Sequence, residues 1–229
     1  MRQDGALRQD GALRQALLGA CLALDAAGLN HGHAGNISVR TPAGMLITPS
    51  GIAAGQLDAN AMVQMRLDGS ACRCDDSCGH SGQLKPSSEW HLHAAVYHAR
   101  SDLNAIVHAH PPYATALACA RKSIPAFHYT VALSGASSIQ CAPYATFGTP
   151  ELATSIVETL GATGRACLMA NHGILCASDN LEAALSLATE VEYLARVYSL
   201  TLQTGNAVIL DEQEMQRVLA RVKDYGQPQ

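Results

Sequence analysis

The chain has 229 residues, a formal charge of −4 at neutral pH, 48% hydrophobic residues and 15% charged ones, a balance that suits one well-buried domain and excludes a disordered chain. No basic stripe exists to neutralise a phosphate backbone, which excludes nucleic acid as a partner. No apolar run approaches the ~20 residues of a membrane span and no signal-peptide core opens the chain, so a cytoplasmic protein with no membrane partner is expected.

The chain opens with Arg-Gln-Asp-Gly-Ala-Leu twice, at residues 2–7 and 8–13. A glycine in each copy favours a frayed lead-in over a helical extension. Residues 1–13 are therefore read as an N-terminal extension and 14–229 as the domain. Residues 14–27 form a helix ended by Gly28 and Asn30. A glycine-broken loop from His31 then enters a strand that reaches Arg40. Residues 45–51 give a second strand ending in a polar turn, and 62–67 a third. Pro86-Ser-Ser-Glu89 opens a helix running to about residue 100, with Pro86 early in it and the serines capping exposed N–H groups.

A strand is expected at 104–110, a helix at 112–121, a short strand at 138–142 and a helix at 150–160. A further strand starting at Cys167 reaches Asn171-His-Gly173, and residues 174–176 form the return strand. The longest helix, 180–203, is opened by Asp179 and Asn180 and is apolar at Leu181, Ala184, Leu185, Ala188, Val191, Leu194 and Val197. A last helix covers 211–223. The order is mixed rather than alternating, which predicts a single α/β domain with a central, mainly antiparallel (mixed) sheet flanked by helices on both sides.

Chemistry concentrates in Asn104-Ala-Ile-Val-His-Ala-His110. As a strand, its period of two puts Ile106, His108 and His110 on one face, with the two imidazoles about 7 Å apart along the strand and able to address one metal ion. Pro111 and Pro112 stop the strand at a rim. His172 stands at a strand end, and Glu89 in the first turn of its helix. Three histidines and a carboxylate make a plausible zinc shell with a place for substrate oxygens. His91 and His93 diverge by about 200° on a helix and cannot share an ion; with His98 they read as partly exposed helix histidines.

Cys21, Cys119, Cys141, Cys167 and Cys176 read as small buried hydrophobes. Cys72, Cys74, Cys78 and His80 lie in a long loop at 70–84 whose spacing is not a standard zinc pattern, and free thiols in a loop are the simpler reading.

Seven collinear motifs carry a family resemblance. They are Gly-Leu-Asn-His-Gly-His-Ala-Gly-Asn-Ile-Ser-Val-Arg (28–40), Met-Leu-Ile-Thr-Pro-Ser-Gly (45–51), Pro-Ser-Ser-Glu-Trp (86–90) and Val-His-Ala-His (107–110). Ser-Ile-Pro-Ala-Phe-His-Tyr (123–129), Ile-Gln-Cys-Ala-Pro-Tyr-Ala-Thr-Phe-Gly-Thr (139–149) and Asn-His-Gly (171–173) complete the set. With them the chain resembles the class II aldolase/adducin family, and most of all its members acting on L-fuculose 1-phosphate.

The resemblance implies a divalent ion, Zn2+ or else Mn2+ or Co2+, held by His108, His110 and His172. Glu89 would complete the resting shell and then serve as acid/base. Asn36, Ser50, Gly51, Ser87 and Ser88 would grip the substrate phosphate. Tyr129 would reach a neighbouring subunit's site in a homotetramer, and Phe147 and Tyr225 would line the aldehyde pocket.

The implied reaction is reversible cleavage of a ketose 1-phosphate into dihydroxyacetone phosphate and an aldehyde. Ionic stabilisation of the charge replaces a Schiff base, and Lys85, Lys122 and Lys223 lack the buried context such a lysine needs. Val222 stands where fuculose-specific members carry an aromatic residue, so 5-deoxyribulose and 5-methylthioribulose 1-phosphates are competing substrates. An epimerase, dehydratase or decarboxylase of the same family, or a non-catalytic adducin-like scaffold, are the rival readings. Glu89 and Tyr129 speak for aldol chemistry, and the three histidines speak against a scaffold.

Overall fold

A computed structural model describes residues 2–70 and 84–222, with side chains from residue 10 onward. The expected Cys72/Cys74/Cys78/His80 loop and Tyr225 lie outside the described residues. Among the described residues, seven strands, β1 (Asn36–Thr41), β2 (Gly44–Ile47), β3 (Val63–Met65), β4 (Ala105–Ala109), β5 (Cys141–Ala142), β6 (Ala166–Met169) and β7 (Gly173–Ser178), form one sheet in the order β3-β2-β1-β4-β7-β6-β5. Every pairing is antiparallel except β5 with β6. The sheet is therefore mixed and mainly antiparallel, as expected.

Helices cover both faces. On one side α1 (Arg2–Ala26), α3 (Pro112–Cys119), α5 (Leu181–Thr204) and α6 (Glu212–Val222) pack on Ile37, Val39, Ala105, Val107 and Cys176. On the other, α2 (Trp90–Ala99) and α4 (Pro150–Leu160) pack on Ile47, Ile106, Met169 and Leu175. The alternation along β4 decides which side chain goes where: Ala105, Val107 and Ala109 meet α5, while Ile106 and His108 turn toward α2. All five residues of β4 are buried, because it is the middle strand and covered on both sides.

Several expectations need correction. The duplicated opening is not a frayed lead-in: α1 runs unbroken from Arg2. Leu13 and Leu17 pack on the core, and the buried Arg14 pairs with Asp10 at 2.7 Å and donates to Met62 O at 2.6 Å. Those contacts outweigh a glycine penalty of about 1 kcal/mol per residue. The helix after the Ser-Ser pair starts later than expected, at Trp90, with Glu89 as its N-cap residue. Pro86 is not helical but bridges to Pro49. Cys119 is exposed and Cys141 only half-buried, whereas Cys21, Cys167 and Cys176 are buried as expected. Val222 packs against the α1/α5 core.

Candidate metal centre and substrate pocket

Antiparallel register builds the centre. Asn36 at the start of β1 lies opposite His108 of β4, and His108 lies opposite Leu175 of β7. His110 follows β4 directly, and His172 sits in the tight turn between β6 and β7. Asn171 takes the left-handed conformation in that turn (φ 55°), a conformation asparagine tolerates. Gly173 is required for a different reason: a Cβ there would collide with Ala109 O and the His110 ring. Beyond His110, Glu192 of α5 accepts the Tyr113 and Ala114 N–H groups at 2.9 and 2.8 Å and so anchors the N-terminus of α3.

The side-chain nitrogens of His108, His110 and His172 lie within 4.8 Å of one another. His108 Nδ1 donates to Ile174 O at 2.8 Å, which leaves Nε2 with its lone pair toward the centre. His110 Nε2 is 2.9 Å from that atom. Glu89 closes the group, with Oε2 3.1 Å from His108 Nε2 and Oε1 3.3 Å from His172 Nε2. Glu89 Oε1 is buried yet has no hydrogen-bond partner among the described residues. The His172 distance thus reflects two groups converging on one point, not a donor meeting an acceptor. Converging imidazole nitrogens with an orphaned carboxylate oxygen are the donor set of a divalent ion, and the residues fit one.

Protonation supports that fit. Burial, then the charge on His108 and on His172, pushes His110 down to about 3 against the opposing pull of Glu89. Burial and His108 push His172 down to about 4. Both rings are neutral near pH 7, as ligands must be. Burial works to raise the Glu89 pKa, but His108 and then His172, in their protonated forms, and the Asn36 amide together hold it well below the usual carboxylate range. A dication at the centre acts in the same direction.

A cavity of about 340 Å³ opens above the centre. Asn36, Ser50, Gly51, Ser87, Ser88 and Phe147 all line it, as do Glu89, His110 and His172. The Ser50 and Ser87 N–H groups bond to Lys85 O and Thr48 O, each at 3.0 Å, which pins the two serine-bearing turns together. Gly51 takes φ +72° in its turn. Ser87 Oγ accepts from Glu89 N at 3.3 Å, ahead of α2, so it bonds the N–H of the N-cap residue and caps none inside the helix, while the hydroxyls of Ser50 and Ser88 stand on exposed residues facing the cavity. Tyr129 is 58% exposed and does not line the cavity. Tyr144 lines it and was not singled out in the sequence.

His93 overturns its reading as a partly exposed helix histidine, because it is fully buried. It lies beneath Asn36, with Nε2 2.5 Å from Asn36 Oδ1, and the Asn36 amide donates to Glu89 Oε2 at 3.0 Å. A signal for it existed: Glu89, His93 and Tyr97 recur every four residues, which on a helix makes one face.

Comparison with known proteins places the chain. The family described as Class II Aldolase and Adducin N-terminal domain matches residues 15–199. The chain is 43% identical over 210 residues to the 5-methylthioribulose-1-phosphate/5-deoxyribulose-1-phosphate aldolase of Rhodospirillum rubrum, covering 92% of this chain and 90% of that relative. It is also 43% identical over 211 residues to the L-fuculose phosphate aldolase of Escherichia coli K12, covering 92% and 94%. A solved structure of an L-fuculose 1-phosphate aldolase superposes with a TM-score of 0.85 at 38% identity, over 92% of this chain and 95% of that one.

Proposed function

The chain belongs to the class II aldolase and adducin family, and from that premise we propose that it is a zinc-dependent aldolase. On this reading it reversibly cleaves a ketose 1-phosphate into dihydroxyacetone phosphate and an aldehyde. The observation that carries the reading is the convergence of His108, His110, His172 and Glu89 at the floor of a cavity whose walls present serine hydroxyls. A divalent ion held there, zinc or else manganese or cobalt, supplies Lewis-acid stabilisation of the negative charge left beside a carbonyl when the carbon–carbon bond breaks.

The chain's own residues do the rest. Ser50, Gly51, Ser87 and Ser88, with the second N–H of the Asn36 amide, hold the phosphate by neutral donors near the start of α2. Glu89, at the N-cap of α2 and on the cavity wall, delivers and removes the proton at the carbon that becomes part of dihydroxyacetone phosphate. Tyr129 exchanges the proton of the aldehyde oxygen, reaching from a neighbouring subunit of a homotetramer. Its exposure on its own protomer supports that placement. Phe147 and Tyr225 form the wall around the aldehyde tail.

L-fuculose 1-phosphate is the leading substrate, and 5-deoxyribulose or 5-methylthioribulose 1-phosphate competes with it. The equal identity to relatives named for each supports keeping both. The test is a screen of the three ketose 1-phosphates with zinc-loaded protein, following dihydroxyacetone phosphate through a coupled reductase. Release from at least one is expected. No release from any, with metal bound, rejects the reading.

A further inference from the structure

Beneath the cavity floor, Tyr97, Ser38 and His93, to which the proposed chemistry gives no task, form a line of polar side chains that ends on Asn36 and Glu89. Tyr97 OH is 2.9 Å from Ser38 Oγ, and Ser38 Oγ is 2.7 Å from His93 Nδ1. His93 Nε2 is 2.5 Å from Asn36 Oδ1, and Asn36 Nδ2 is 3.0 Å from Glu89 Oε2. Ser38 and His93 are fully buried, and Tyr97 is 2% exposed. β1 brings Asn36 and Ser38 to the same face, and α2 brings Glu89, His93 and Tyr97 to the side that meets it. No water or backbone group is needed to complete these links.

The direction of every proton follows from one end. An ionised carboxylate only accepts, so Asn36 must turn its NH2 group to Glu89 and its oxygen to the ring. His93 Nε2 must then carry the ring proton. A neutral ring with Nε2–H leaves Nδ1 as an acceptor, so Ser38 donates to it and in turn accepts from Tyr97. With the amide reversed, Asn36 oxygen would face a carboxylate oxygen at 3.0 Å, two acceptors with no proton between them.

We propose that His93 is a positioning residue, which as the neutral Nε2–H tautomer fixes the Asn36 amide so that its N–H holds Glu89 Oε2 and leaves Oε1 free for the reacting proton. The two oxygens of one carboxylate are thereby given different tasks. This rests on the reading of Glu89 as the acid/base. A space-filling His93 between α2 and β1 would need no particular tautomer, and its replacement would not be repaired by an N–H donor.

The experiment uses the full-length, zinc-loaded protein labelled with 15N in histidine, beside His93→Gln and His93→Leu. In the wild-type spectrum one ring, identified by its loss in His93→Gln, is expected to show the neutral Nε2–H signature. His93→Leu is expected to lower kcat about 10- to 100-fold with KM nearly constant, the range for a lost supporting contact. Glutamine, whose amide N–H can reach the Asn36 oxygen, is expected to recover most of that loss.

A wild-type ring that is charged or protonated at Nδ1 overturns the proposal. So does a rise in KM at constant kcat, which would mean that Asn36 was loosened only as a phosphate donor. Glutamine no better than leucine also overturns it. If His93→Leu does not fold, the ring signature and His93→Gln still decide. If the wild type cleaves no ketose 1-phosphate, the reading of function fails, while the ring signature still settles the tautomer.

Discussion

The floor of the cavity and its rim are built by opposite rules. On the floor, His108 is fully buried, Asn36 and Glu89 are nearly so, and each is held by named partners from a different strand or helix. At the rim, Tyr144 and Phe147 are 56% and 65% exposed, on the loop between β5 and α4. A buried polar floor tolerates little change, because each lost partner strands another polar group. An exposed rim can change side chains at little energetic consequence. That difference accounts for a family in which relatives of equal identity bear the names of different sugars: the reaction belongs to the floor and, on the proposed function, the choice of aldehyde to the rim.

The comparison breaks most visibly at the metal ligands. His108→Ala should abolish stoichiometric metal in the purified protein and lower cleavage by at least about 10³-fold, as loss of the principal charge stabiliser does; elemental analysis and the coupled assay check both. Glu89→Gln should slow proton exchange into dihydroxyacetone phosphate by about 10²- to 10⁴-fold while the phosphate ligand still binds. Exchange measured in deuterated water decides this, and undiminished exchange removes Glu89 as the base. Gly173→Ala, which touches no substrate, should still lower stability by about 1–3 kcal/mol and weaken metal binding, because the new Cβ drives into Ala109 O and the His110 ring. Denaturant titration and a metal-competition assay read the two effects. Phe147→Ala should be the mildest, leaving stability within about 0.5 kcal/mol of the parent and altering only the ratio of rates among the ketose 1-phosphates.

Acid sharpens the same contrast. His93 and His110 are pushed down to about 3 and His172 to about 4 from 6.5, chiefly by burial. Between these values and 6.5 the unfolded chain binds more protons than the folded one, so stability rises with pH across that window. The metal-free protein should therefore lose stability progressively as the pH falls from 6.5 toward 3. Calorimetry across that range checks it, and a Tm that rises on acidification contradicts the burial of these rings.

Much of the floor could be read from the sequence because strand alternation is local information. The period of two in residues 104–110 puts His108 on the face of Ile106, and the structure keeps the two together, turned toward α2. The proline stop before α3 and the glycine-broken turn around His172 are likewise visible as residue types. What escaped was the depth of His93. Its burial depends on where β1 docks against α2, a tertiary fact that the four-residue spacing from Glu89 to His93 to Tyr97 signals only as a shared helix face. The continuous α1 escaped for a similar reason: Arg14 reaches Met62 O, 48 positions along the chain, and no local propensity records that contact. The rim was legible only as a list of aromatics, since the loop between β5 and α4 that carries Tyr144 and Phe147 has no period to read.

The central claim is that a cation held by His108, His110 and His172 carries the charge of bond cleavage. It is tested most directly by treating active protein with a chelator, removing the chelator and adding back one equivalent of zinc. The account predicts that dihydroxyacetone phosphate release disappears with the metal and returns with the added equivalent. Full activity in metal-free protein would contradict it.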